Sequence, residues 1–338
     1  MRKTLTLLAL LMMGTSIASA QQDPMFTNYM FNALTFNPAY AGSNDHLVIN
    51  ALHRSQWVGI EGAPTTQTLT MHTPLKSERV GVGLSFVNDK IGPTNSMNLN
   101  GSYAYRIPMG KGKLAIGLQA SGNTWRADWS KLSYADGQSV DPAFQGDTKT
   151  SFKFNFGAGL YYSTKRFYTG LSVPRVIEHD LTQNRTDQLP FYAKQYRHFY
   201  YTLGGAIPIK GNALVFKPSL LVKATALDSR FKKDSSFSQV GAPIQFNVDL
   251  SLFFQETLWV GASFRSAVEA LTGKDAGKSS FDSVDFWAAY YLSSGLRLGV
   301  GYDFSLTKIQ SKTVGSFEIM AGWEFDYRVK RVVTPRYF

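Results

Sequence analysis

Five histidines are the first residues to test for chemistry: His46, His53, His72, His179 and His198. None stands at a metal-ligand spacing, and none belongs to a partnered nucleophile motif. His53 and His72 fall on two predicted neighbouring strands, where they could face one another, but no carboxylate is evident beside them. Asp282 and Asp285 are three apart on another predicted strand. Period-two geometry expects them on opposite faces, unable to act as a carboxylate pair. A Ser–His–Asp constellation would form only in space, and nothing in the sequence points to one. The chain contains no cysteine, which removes disulfides and thiolate metal sites. No catalytic residue, metal or cofactor is assigned, and the expected role is not enzymatic.

The informative pattern is alternation. Phe317, Ile319, Ala321, Trp323 and Phe325 interleave with Ser316, Glu318, Met320, Gly322 and Glu324. Residues two apart on a strand share a face, so one face is oily and the other more polar. Fourteen such stretches are predicted: 47–56, 66–73, 80–88, 96–107, 114–123, 152–163, 167–173, 197–207, 214–225, 244–252, 258–265, 281–292, 295–304 and 316–325. Most approach ten residues, the length that crosses a bilayer at a tilt. Tight connections (74–79, 108–112, 164–166, 208–212, 254–257, 293–294) alternate with mostly longer ones, the largest being 124–151, 174–196 and 226–243. This rhythm predicts an all-β fold, a transmembrane antiparallel β-barrel of about fourteen strands, with tight turns and both termini in the periplasm. An exported β-sandwich fits strand count, length and rhythm less well.

Residues 1–20 read as a signal peptide: Arg2 and Lys3, an apolar stretch, then Ala18-Ser19-Ala20. The expected organisation is then a periplasmic or plug-like segment 21–45, a barrel 46–325 and a basic periplasmic tail 326–338. Formal charge is +11; removing Arg2 and Lys3 leaves +9. Export and the missing recognition motifs argue against nucleic acid, and favour acidic partners or outer-membrane lipid head groups.

Aromatics gather near the tight turns: Tyr105, Tyr161, Tyr162, Phe167, Tyr168, Phe253, Phe254, Trp259, Tyr290, Tyr291 and Phe325. They predict one interfacial belt. The expected inner face carries glycines, including Gly81, Gly83, Gly157 and Gly159, beside Lys217, Lys223, Asp249, Arg265, Arg297, Asp303, Glu318 and Glu324. Arg297 and Glu324 are expected to pair, with the register open by two residues. Phe26, Tyr29, Met30, Phe31, Phe36 and Tyr40 precede the first strand. So many large apolar groups are expected to pack into or under the barrel as a plug, with Asn37-Pro38 forming a turn.

Several blocks in order carry a family resemblance: Gln22-Asp23-Pro24-Met25-Phe26-Thr27-Asn28-Tyr29-Met30, Asn37-Pro38-Ala39-Tyr40-Ala41-Gly42, Arg54-Ser55-Gln56-Trp57-Val58-Gly59, Gly62-Ala63-Pro64-Thr65-Thr66, Gly81-Val82-Gly83 and the closing Pro335-Arg336-Tyr337-Phe338. In this combination the mature chain resembles the PorP/SprF family of Bacteroidetes outer-membrane proteins. The resemblance implies a part in type IX secretion and, in some bacteria, gliding motility. It implies accessory barrels that help export or surface-anchor cargo, such as an adhesin with a type B C-terminal secretion domain. For some members it also implies a periplasmic OmpA-like partner. The alternative is a transporter of hydrophobic small molecules similar to the FadL family, which shares an Asn-Pro-Ala motif at Asn37-Pro38-Ala39. Glycine and charge on the inner registers fit that reading poorly.

Two surfaces are candidates for partner contact. One is the loop containing Trp57, Gly59, Gly62 and Pro64, where glycine and proline supply turn geometry. The other is the tail with Arg328, Lys330, Arg331 and Arg336, next to turns bearing Lys76, Arg79, Lys111, Lys113, Lys165, Arg166 and Lys210. That basic end suits either anionic lipid or an acidic periplasmic protein.

Overall fold

A computed structural model describes residues 23–76, 78–129, 150–180, 194–225, 227, 244–272 and 281–325. The expected signal peptide and basic tail lie outside the described residues. Fourteen antiparallel strands form one sheet that closes on itself. They are β1 Leu47–Ser55, β2 Thr65–Pro74, β3 Val80–Ile91, β4 Thr94–Met109, β5 Gly112–Ala127, β6 Ser151–Ser163, β7 Phe167–Val173, β8 His198–Gly205 resuming at Ile207–Pro208, β9 Leu214–Thr225, β10 Gln245–Phe254, β11 Leu258–Ala267, β12 Phe281–Tyr291, β13 Leu296–Ser305 and β14 Ser316–Phe325. Each pairs with its sequence neighbours, and β1 closes the barrel against β14 from Leu47↔Phe325 to Ser55↔Phe317. Closure leaves no unpaired edge, which a sheet in hydrocarbon requires. No described helix is long and apolar enough to cross a membrane.

Burial alternates along the strands, as in β2 and β5. The outward registers expose large apolar side chains, among them Leu118 (60%), Ile319 (58%) and Val300 (57%). Apolar surface this extensive belongs against lipid. The inward registers bury Lys217, Lys223, Asp249, Arg265, Arg297, Asp303 and Glu318, as their alternation predicts.

The predicted alternation of connections fails at one place. β3 and β4 are joined by Gly92-Pro93 alone, with Gly92 at φ +54. The polar residues there read as loop, yet they continue the ladder: Asp89↔Ser96, Lys90↔Asn95 and Ile91↔Thr94. β4 and β5 reach 16 residues each, more than a bilayer crossing needs. Polar residues can pair in a sheet wherever it extends past the hydrocarbon.

The aromatic belt also needs correction. Tyr105, Phe167 and Tyr290 point outward and are exposed, but Tyr161, Phe253 and Trp259 are buried inside. Adjacent aromatics on one strand must take opposite faces. Doublets such as Tyr161-Tyr162 and Phe253-Phe254 therefore place one ring inside.

Candidate functional site

The lumen is the site, because the chain from Asp23 to His46 makes its contacts there. Three short 3-10 turns shape it: Tyr29–Phe31, Ala33–Thr35 and Pro38–Tyr40. The Asn37 carboxamide oxygen accepts from the Ala39 amide at 3.0 Å, while its nitrogen donates to the Leu160 carbonyl at 3.1 Å. Pro38 follows at the first helical position, where its missing N–H is harmless.

The segment runs from the long-loop end of the barrel to the tight-turn end. Asp23 meets residues of β8, β9 and the β7–β8 connection. Asp45 lies within 3.6 Å of Arg106 and 3.8 Å of Lys113, beside the tight turns. The two ends of the described chain are thus apart: Phe325 at the tight-turn end and Asp23 at the other.

Towards the long loops the contacts are ionic. Arg54, 2% exposed, reaches Asp303 at 2.5 Å and Glu318 at 3.5 Å, and donates to the Thr27 hydroxyl at 2.8 Å. That hydroxyl donates in turn to Asp303. Glu318 accepts the Thr27 and Asn28 amides at 3.1 and 2.8 Å. Arg265 extends the network to Asp285 at 2.6 Å and Asp303 at 3.4 Å. Opposed charges with several hydrogen bonds are the arrangement in which buried ions are tolerated.

From Phe31 to Tyr40, between Thr27 and the ion pairs of Asp45, the contacts are shape. The Phe31 ring stands edge-on to Trp259 and Trp287, centroids 4.8 and 5.8 Å away. The Arg297 guanidinium lies 4.4 Å from the Phe31 centroid, a cation–π distance. Tyr40 packs on His72 and Tyr161. Inward glycines make the close approach: a Cβ at Gly117 would strike the Ala39 backbone, and one at Gly159 the Asn37 side chain. The Tyr29 hydroxyl shares a hydrogen bond of 2.6 Å with Ser219.

Predicted residues assort as follows. Phe26, Tyr29, Phe31, Asn37 and Pro38 are buried, and Tyr40 is half-buried. Arg297 and Glu324 meet at 3.0 Å although Arg297 registers with Gly322, so the pair is diagonal. His53 and His72 do not face each other: His53 registers with Gln67, His72 with Val48, and only His72 is buried. No cluster suited to a metal ion occurs among the described residues. Asp282 and Asp285 both reach Arg265, at 3.7 and 2.6 Å. A register shift opposite Arg265/Ser266 changes the period at Asp282.

The Trp57 loop is tied to its neighbours. Val58 donates to Gly315 at 2.9 Å and accepts from Val314 at 3.0 Å, and Gly92 donates to Gly62 at 2.8 Å. Trp57 adopts φ +48, Gly59 φ +102 and Gly62 φ +71; Pro64 is buried. Arg328, Lys330, Arg331 and Arg336 lie outside the described residues. Lys76, Arg79, Lys111, Lys165, Arg166 and Lys210 are exposed at the tight-turn end.

The family model for the type IX secretion system membrane protein PorP/SprF matches residues 18–323. The chain belongs to the PorP/SprF family. This member is thus an outer-membrane β-barrel of the type IX secretion system. Among solved structures it is similar to the Acinetobacter baumannii outer membrane protein Omp33, at 10% identity and a TM-score of 0.45, over 83% of this chain and 98% of that one. It is also similar to a Pseudomonas aeruginosa FadL homologue, at 13% identity and a TM-score of 0.46, over 93% and 97%. No curated protein matches it.

The residues overlooked in the sequence are Thr27, Arg54, Arg175 and Tyr200. Arg54 carried a usable signal. It shares an inward register with Asn50 and Leu52 on β1, and a charge there needs a partner.

Proposed function

We propose that this barrel is an accessory component that binds a secreted cargo protein and helps export it or hold it at the surface, rather than a conduit for solutes. The observation that carries this reading is the chain's own segment 23–46, whose contacts with inward side chains run from the Tyr200 and Lys223 end of the barrel to Arg106; we read it as a plug. A cavity of about 50 Å³ beside it has room for a few waters. Work on a protein partner then falls to the two rims. The cargo is an adhesin with a type B C-terminal secretion domain, and an OmpA-like periplasmic protein docks on the basic tight-turn end. These partners follow from the family resemblance.

The Trp57 loop is the proposed cargo contact at the long-loop rim. The tail residues Arg328, Lys330, Arg331 and Arg336 form the proposed periplasmic contact. Recovery from native membranes tests the function: a copurifying secreted protein supports it, and bound fatty acid with no protein partner supports a FadL-like transporter. Trp57→Ala should leave the barrel folded and abolish cargo retention. Cleavage from outside intact cells within 128–150, but not within 209–213, checks the orientation.

A further inference from the structure

At the long-loop end of the lumen, four side chains converge on Asp23. Arg175 donates to one carboxylate oxygen, and the Tyr200 hydroxyl donates to the other at 3.0 Å. Lys223 donates to the Asp23 carbonyl at 2.7 Å. His198 lies 3.7 Å from the carboxylate and 3.4 Å from the Asp23 amide. Lys223 and His198 are 3% and 2% exposed, so their positions are fixed by packing. Asp23 itself keeps 17% of its side chain exposed and belongs to no helix or strand.

The adjoining cavity carries unused hydrogen-bonding capacity. Asn247 is 1% exposed, and neither its amide nitrogen nor its oxygen has a partner. The Asn100 carboxamide oxygen, the Gln245 carboxamide oxygen and the Arg175 Nε are likewise unpartnered. All four residues line the cavity. Leaving such groups unmatched is costly. Amide donors and acceptors side by side match a peptide main chain, and the cationic receptor beside them matches a carboxylate.

We propose that this is a binding site for an acidic peptide segment, whose Asp or Glu side chain displaces that of Asp23 while its main chain takes the space that residues 23–26 vacate and pairs with Asn247 and Asn100. Displacement would unfasten the plug at the end where its contacts are ionic. The site stands whether or not the barrel retains an adhesin.

The test uses the purified full-length barrel with acetyl-Gly-Asp-Gly-amide and acetyl-Gly-Asn-Gly-amide as probes. Asp23→Asn should bind the aspartyl peptide roughly tenfold or more tightly than wild type, and the asparaginyl peptide measurably less. Adding Arg175→Gln should abolish that gain. Equal binding of both peptides, or inorganic phosphate binding as well as the aspartyl peptide, would overturn the proposal. Wild-type protein gives a second readout that needs no variant. Saturating aspartyl peptide should accelerate amide exchange at Thr27 and Asn28, and unchanged exchange at saturation would also overturn it.

Discussion

Two stretches of the N-terminal segment are held by different physics. Around Thr27 and Asn28 the partners are Arg54, Asp303 and Glu318, joined by charge and directional hydrogen bonds. Around Phe31 and Ala39 the partners are tryptophan rings and glycine backbones. A charge network depends on every member, because a lone buried ion is intolerable. A packed interface degrades in proportion to the volume removed. The first stretch should therefore respond to single changes abruptly and the second in a graded way.

The largest effect is expected from Arg54→Met, which leaves Glu318 without its cation and Asp303 paired with Arg265 alone among the described cations. It should lower the barrel's unfolding free energy by about 3–5 kcal/mol. Neutralising the carboxylates too, with Asp303→Asn and Glu318→Gln, should recover part of that loss. Denaturant unfolding in detergent, followed by the mobility of the folded species on gels, measures both. A triple variant weaker than the single one would refute the charge account. Phe31→Ala should cost about 3 kcal/mol by emptying the space between Trp259 and Trp287, with Phe31→Leu closer to wild type. If both substitutions cost the same, the graded half of the comparison fails.

Gly117→Val should cost roughly 1–3 kcal/mol by forcing β5 away from Ala39. Faster proteolysis near Ala39 than near Thr27 would place the damage at the packed end. Glu324→Gln should have the smallest effect, about 0.5–1 kcal/mol, because Glu324 keeps 28% of its side chain exposed where it meets Arg297. A larger loss would mean the charge-dependent region extends down to the tight turns.

Much of this was legible in the chain. Alternation located the strands, and 167–173, 214–225 and 316–325 coincide end to end with β7, β9 and β14. It also placed the inner charges, since a period of two leaves little freedom. The misses share a cause. The doublets Tyr161-Tyr162 and Phe253-Phe254 sit at one height along their strands, but period two divides each between the two faces. The turn at Gly92-Pro93 was obscured because polar residues serve equally as loop and as strand in water. Asp282 broke the alternation through a shift that depends on the neighbouring strand. The receptor around Asp23 had no local signal at all: its parts are 152 to 200 residues distant in the chain and meet only when the cylinder closes.

That closure sets the order in which the molecule can be made. Thr27 and Arg54 leave the ribosome early, but Asp303 lies 249 residues after Arg54 and Glu318 lies 290 after Asn28. The seam between β1 and β14 brings them together. Until the last strand arrives, the early segment lacks Glu318 and a closed wall around it. Complete enclosure of the segment is therefore a late event, and a chain stopped before residue 316 would lack it.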